Sequence, residues 1–147
     1  MIKYCQYLEI DIDDMKFNRY ARLLKSEKVI KKIKARLKAR ESYSYTLFED
    51  DIPIAIVSFQ EQENDCYDCL MIASDLFTVK HAVAVKRFMN NVAIRIGAKK
   101  VITASENCPE LNRWHEFLGF TLEKENDFEY RKIKHNIWSK SWEQDLQ

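Results

Sequence analysis

The sequence predicts an α/β (α+β) chain with a mixed, mostly antiparallel sheet of six to seven strands flanked by about four helices. Three observations predict it. Three β-prone runs follow one another between Tyr43 and Ala73, separated only by short polar breaks. The apolar residues from Thr78 to Ile96 recur at helical spacing and lie between two β-prone runs. A second helical stretch, Pro109 to Leu118, stops at Gly119 and leads into an aromatic strand.

Taken in order, Tyr4 to Ile12 alternates loosely and reads as a first strand, ended by Asp11, Asp13 and Asp14. A helix is expected from about Met15, with Tyr20, Leu23, Leu24, Val29, Ile30, Ile33 and Leu37 on its apolar face. Ser26 can cap a second helix, so this region reads as two helices or one bent helix. Tyr43 to Phe48 and Ile52 to Phe59 form a hairpin about Glu49-Asp50-Asp51. The polar stretch Gln60 to Asp65 is a turn before a central strand, Cys66 to Ala73. The long helix ends at Gly97, and Val101 to Ala104 is the next strand. A strand, helix, strand order favours a parallel crossover between the runs at Leu70 and Val101. Phe120 to Lys124 and Phe128 to Ile133 form a last hairpin around Asn126-Asp127. Residues 1–135 read as one domain. Residues 136–147, with Ile137, Trp138 and Trp142, read as a tail with a docking helix through which the chain could self-associate.

At 147 residues and 46% hydrophobic, the chain buries a core without disulfides or metal. No run approaches the roughly 18 apolar residues of a membrane span, and the reading is cytosolic. Cys66 and Cys69 have the spacing of a metal or redox pair but no second pair, so zinc is not expected. The net charge of +1 conceals an asymmetry: Lys16 to Arg40 holds eleven Lys and Arg against one acid, Glu27, while the remainder carries thirteen against twenty-two. That +10 block could attract phosphates, nucleic acid or an acidic protein, or be a solvated face.

The element order resembles the GNAT acyl-CoA N-acyltransferase superfamily over nearly the whole chain, as do Ile52-Pro53-Ile54-Ala55-Ile56-Val57 and Arg113-Trp114-His115-Glu116-Phe117-Leu118-Gly119-Phe120. The runs Ile52 to Ala55 and Cys69 to Asp75 look most like the GNAT-like internal virion proteins of short-tailed bacteriophages. The resemblance implies transfer of an acetyl group from acetyl-CoA to an amine of a small molecule or protein, in a host cytoplasm or virion. It also implies a second outcome, a GNAT-derived binding or virion protein without turnover.

The resemblance places acetyl-CoA between strands four and five, with its diphosphate on the loop before the long helix. Ile72, Ala73 and Ser74 at the end of strand four, and Phe77-Thr78-Val79-Lys80-His81-Ala82, take the cofactor positions, with Asn107 after strand five. The family's loop carries glycines that let backbone amides approach the phosphates, and none remains here. Weakened cofactor binding follows, with Thr78, Lys80 and His81 as polar or cationic contacts. Where the family often has a tyrosine, this chain has His115, able to donate or accept a proton near neutrality; the plainer reading is a core-edge helix residue. Asp68 and Glu61 are candidate bases for the acceptor. Cys108 stands where the family often has an asparagine.

Overall fold

The computed structural model describes residues 2–21 and 26–142. Among them are seven strands and four α-helices, in the order β1 (Ile2–Gln6), α1 (Glu9–Asp13), α2 (Glu27–Lys38), β2 (Ser42–Glu49), β3 (Ile52–Glu63), β4 (Cys66–Ala73), α3 (Ala82–Arg95), β5 (Lys100–Glu106), α4 (Pro109–Leu118), β6 (Thr121–Tyr130) and β7 (Ile133–Ser141). The strands form one sheet in the order β1-β2-β3-β4-β5-β7-β6. The expected α+β class and its mostly antiparallel sheet are what the chain adopts. No helix among the described residues is long and apolar enough to cross a membrane.

The chain divides into two compact units, Met1–Glu61 with Cys69–Val85, and Gln62–Asp68 with Lys86–Gln147. In the first, β2 is antiparallel to both β1 and β3. Asp50 and Asp51 make the two-residue turn with φ of 51° and 65°, the left-handed pair that matches strand twist. Ile54 to Phe59 are buried without alternation, as expected of a strand covered on both faces. Tyr7, Ile12, Met15, Leu37, Ile56 and Ile72 form a core on which Val29, Ile30 and Ile33 of α2 pack. Each such aliphatic side chain contributes about 1.5–3 kcal/mol when fully buried. Asp11 is buried and paired, accepting from Thr46 Oγ1 at 2.7 Å and Leu8 N at 2.8 Å.

In the second unit, β4 and β5 are parallel, as the crossover required, with Cys66, Tyr67 and Asp68 opposite Lys100, Val101 and Ile102. The register puts Val101 opposite Tyr67. β7 is antiparallel to β5 along its length and to β6. α4 begins with Pro109 after an extended Cys108 and ends at Gly119, φ 92°. Lys140 Nζ donates to the Leu118 carbonyl and to Asn90 Oδ1, both at 2.8 Å, satisfying a helix-end acceptor.

Several expectations are corrected. The first strand ends at Gln6, because Glu9 to Asp13 already turn as α1. The helix expected from Met15 does not start there. Asn18 N bonds Ala73 O and Asp75 N bonds Lys16 O, so residues 16–18 are held extended across Phe17 and Ser74. Ser26 does cap a separate helix, α2; Leu23 and Leu24 lie outside the described residues. β3 continues through Glu63, and the turn shrinks to Asn64-Asp65, φ 49° and 61°. The last hairpin turns at Arg131-Lys132, φ 51° and 67°, while Asn126 sits in a bulge of β6. Asn136 to Ser141 are strand and not a docking helix. They supply the ladder between β5 and β6, with Trp138 buried at 3% exposure. Residues 143–147 lie outside the described residues.

Candidate functional site

In the first unit, the turn between β4 and α3 gathers most of the residues expected to hold a cofactor. It needs no glycine: none of its residues has a positive φ, and Thr78 is extended at φ −133°. Its backbone is largely self-satisfied. Ser74 N bonds Ile54 O, Asp75 N bonds Lys16 O, Phe77 N bonds Ser74 O and His81 N bonds Thr78 O. Leu76 N donates to Ser74 Oγ at 3.1 Å. Thr78 N donates to His81 Nδ1 at 3.0 Å, so the ring proton sits on Nε2, which donates to Glu49 Oε1 at 3.1 Å. Among the described residues, only the amides of Val79 and Lys80 in this turn meet no acceptor.

His81 is thereby a buried internal cap, 1% exposed and packed on Phe77, with both ring nitrogens spent inside the chain and none left for the polar or cationic cofactor contact expected of it. A hydrogen bond from His81 is the main cause holding the Glu49 carboxyl below its usual pKa, with Lys80 adding to it; Lys80 Nζ lies 3.4 Å from Glu49. Ile72 points into the core, and the Ala73 carbonyl is taken by Asn18 N. Leu76, Val79 and Val83 stand exposed around the turn, Val79 at 89%. The Val79–His81 turn before α3 has fewer donors for an anion than a glycine-rich loop provides: two amides, the Thr78 hydroxyl and the Lys80 ammonium, which Glu49 already pairs. Glu61 is not brought near. It lies seven residues along β3 from Ile54, whose carbonyl receives Ser74 N, or about 23 Å of strand.

The second unit holds Asp68, Asn107 and His115. His115 is buried on Trp138, ring centroids 5.2 Å apart, and meets Phe120 edge-on. Its Nδ1 donates to the Leu111 carbonyl at 2.7 Å, which leaves Nε2 with the lone pair. Burial pushes its pKa below the ordinary histidine value, against a smaller raising effect of the Leu111 bond. The ring is neutral at pH 7 and can accept a proton at Nε2; it has none to donate there. Trp138 Nε1 in turn donates to Ser105 Oγ at 3.1 Å. Asp68 lies within β4, half-buried opposite Ile102. Burial is the main cause raising the Cys108 thiol pKa.

Sequence reasoning missed a ring of four asparagines around Asn107. Asn136 Nδ2 donates to Asn112 Oδ1 (3.3 Å), Asn112 Nδ2 to Asn107 Oδ1 (3.0 Å), Asn107 Nδ2 to Asn126 Oδ1 (2.8 Å), and Asn126 N to Asn136 Oδ1 (2.9 Å). Asn136 is 1% exposed. The one signal available was an asparagine amid the apolar residues of a strand, which demands partners when buried.

No protein-family model matches the sequence, and no curated protein matches it. Solved structures are similar along almost the whole chain. The ribosomal-protein-S18-alanine N-acetyltransferase from Escherichia coli superposes with a TM-score of 0.71 at 13% identity, covering 100% of this chain and 99% of that one. A Bacillus subtilis acetyltransferase in complex with CoA gives 0.66 at 13% identity, covering 96% and 97%. The spermidine N-acetyltransferase from Vibrio cholerae, in complex with CoA and spermine, gives 0.71 at 11% identity, covering 95% of each chain. The chain has the GNAT fold that these acetyltransferases share.

Proposed function

We propose that this chain is a GNAT-type N-acetyltransferase, phage-encoded, that moves an acetyl group from acetyl-CoA to an amine acceptor. The observation that carries the reading is the single turn Val79–His81 that leads into α3, where the amides of Val79 and Lys80 remain open among the described residues. A helix start with unclaimed amides and a neighbouring ammonium attracts a phosphate. Acetyl-CoA, when bound, supplies an acyl group activated as a thioester. An ammonium acceptor must shed a proton before it attacks, and the His115 Nε2 lone pair and the Asp68 carboxylate are the bases this chain offers.

Titration calorimetry with acetyl-CoA and with free coenzyme A tests the reading, together with a thiol-release assay across polyamines, amino acids and N-terminal peptides. Acetyl-CoA is expected to bind, Lys80→Ala to weaken it, and Val79→Gly to strengthen it by clearing the side chain from the amides. No heat at about 1 mM, the top of the usual KM range, would end the proposal.

A second reading has its own support. The Thr78 amide is spent on His81 and apolar side chains stand around the turn, which suits a GNAT-derived virion or binding protein without turnover. Binding of coenzyme A without acetylation of any amine favours it.

A further inference from the structure

We propose that the outer stripe of α2 is a docking surface for nucleic acid, holding the phosphate backbone by charge without reading bases. The helix is held by its other face: Val29, Ile30, Ile33 and Leu37 pack into the core of the first unit. Its exposed residues are Glu27, Lys28, Lys31, Lys32, Ala35 and Lys38. Two lysines of the helix are neutralised from α1, Lys34 by Asp13 at 2.7 Å and Lys38 by Glu9 at 2.6 Å. Lys28, Lys31 and Lys32 meet no carboxylate among the described residues. Spaced by three and four, they share one stripe with Ala35.

Such a stripe works against the helix that carries it. Like charges three and four residues apart disfavour helix formation, and glutamine or glutamate has nearly the same helix propensity as lysine. Packing does not explain the lysines either, because the stripe is solvent-facing. Phosphate neutralisation with counterion release does give such a row a use. An anionic membrane is the poorer fit: a surface-seeking helix needs an exposed apolar face, and here that face is already buried. A protein partner is poorer too, since interfaces are anchored by aromatic and large apolar groups that the stripe lacks.

The test is fluorescence anisotropy of a short labelled DNA duplex with the full chain, titrated between about 50 and 200 mM salt. Binding is expected to weaken with salt. In the variant carrying Lys28→Gln, Lys31→Gln and Lys32→Gln, the log–log slope should become shallower by about 2.7, at roughly 0.9 for each phosphate no longer neutralised. The variant's melting temperature should hold or rise, since three repelling charges are gone, which separates lost binding from lost fold. Lys99→Gln with Lys134→Gln is the control and should leave the slope nearly unchanged. The proposal is overturned by no duplex binding at the lowest salt, by an unchanged slope in the triple variant, or by an equal change in the control. Equally strong retention on phosphatidylserine vesicles or poly-glutamate overturns it as well. None of these outcomes depends on acetyl transfer.

Discussion

The turn before α3 and the bulge at Asn126 both redirect the chain without glycine, and they do so in opposite ways. In the turn every φ stays negative, and a histidine ring reaches back to satisfy a backbone amide, Thr78 N. In the bulge Asn126 takes φ 51°, and a ring of side-chain amides fixes it there. The first uses up amides that a helix N-terminus could offer an anion. The second joins side-chain groups to one another and asks nothing of a ligand. Potential binding capacity and local stability are thus traded in the first region, whereas the second is devoted to stability.

The largest expected effect lies in the asparagine ring. Asn136→Leu leaves the Asn112 carbonyl oxygen and the Asn126 amide without partners, so unfolding stability should drop by about 3 kcal/mol. Urea denaturation measures it, and a drop below about 1 kcal/mol would mean the ring is incidental. Next comes His81→Ala, expected to cost about 2 kcal/mol by opening a cavity and freeing the Thr78 amide. Hydrogen exchange at Thr78 should accelerate; slow exchange in the variant would show that another group protects this amide.

How far these regions were legible follows from where their signals lie. α3, β5 and α4 were readable because helical spacing, Gly97, Gly119 and Pro109 all act locally. The hairpin at Arg131-Lys132 was not: Asn126-Asp127 are the stronger turn formers, yet the chain uses Asn126 for a bulge and makes two charged residues adopt left-handed φ. The strand character of Ile133–Ser141 depends on pairing with both β5 and β6, which no window of the sequence contains. The missing glycines of the cofactor loop were visible at once, but not that His81 would turn inward, because Glu49, its partner, stands 32 residues away. The asparagine ring was invisible for the same reason, its members being spread from Asn107 to Asn136.

The same comparison predicts opposite signs for similar substitutions. At the Arg131-Lys132 turn no side-chain hydrogen bond among the described residues rewards the left-handed φ, and Arg131 only lies over the Tyr130 ring, so Arg131→Asn with Lys132→Gly should raise stability by about 1 kcal/mol. Asn126→Gly relieves the same conformation but removes the acceptor of Asn107 Nδ2, and should lower stability by about 1 kcal/mol. Thermal melts of both variants decide it, and a gain in both would show that the ring adds nothing to the bulge.

The smallest effect is a pH dependence in the second unit. The unfolded chain binds a proton on His115 near its ordinary pKa of about 6.5, whereas the folded ring, desolvated against Trp138 and Phe120, binds one only at lower pH. Between those values the unfolded state holds more protons, so stability rises with pH. The contribution is full above about pH 6.5 and is lost as pH falls through the folded value. His115→Gln removes this titration while costing some packing at every pH, so the slope is informative and the absolute melting temperature is not. From pH 7.5 to 5.5 the parent chain should lose more stability than the variant, since the carboxylates act alike in both. Parallel slopes would mean that His115 takes up its proton alike in the folded and unfolded chain, and that burial against Trp138 does not hold its pKa down.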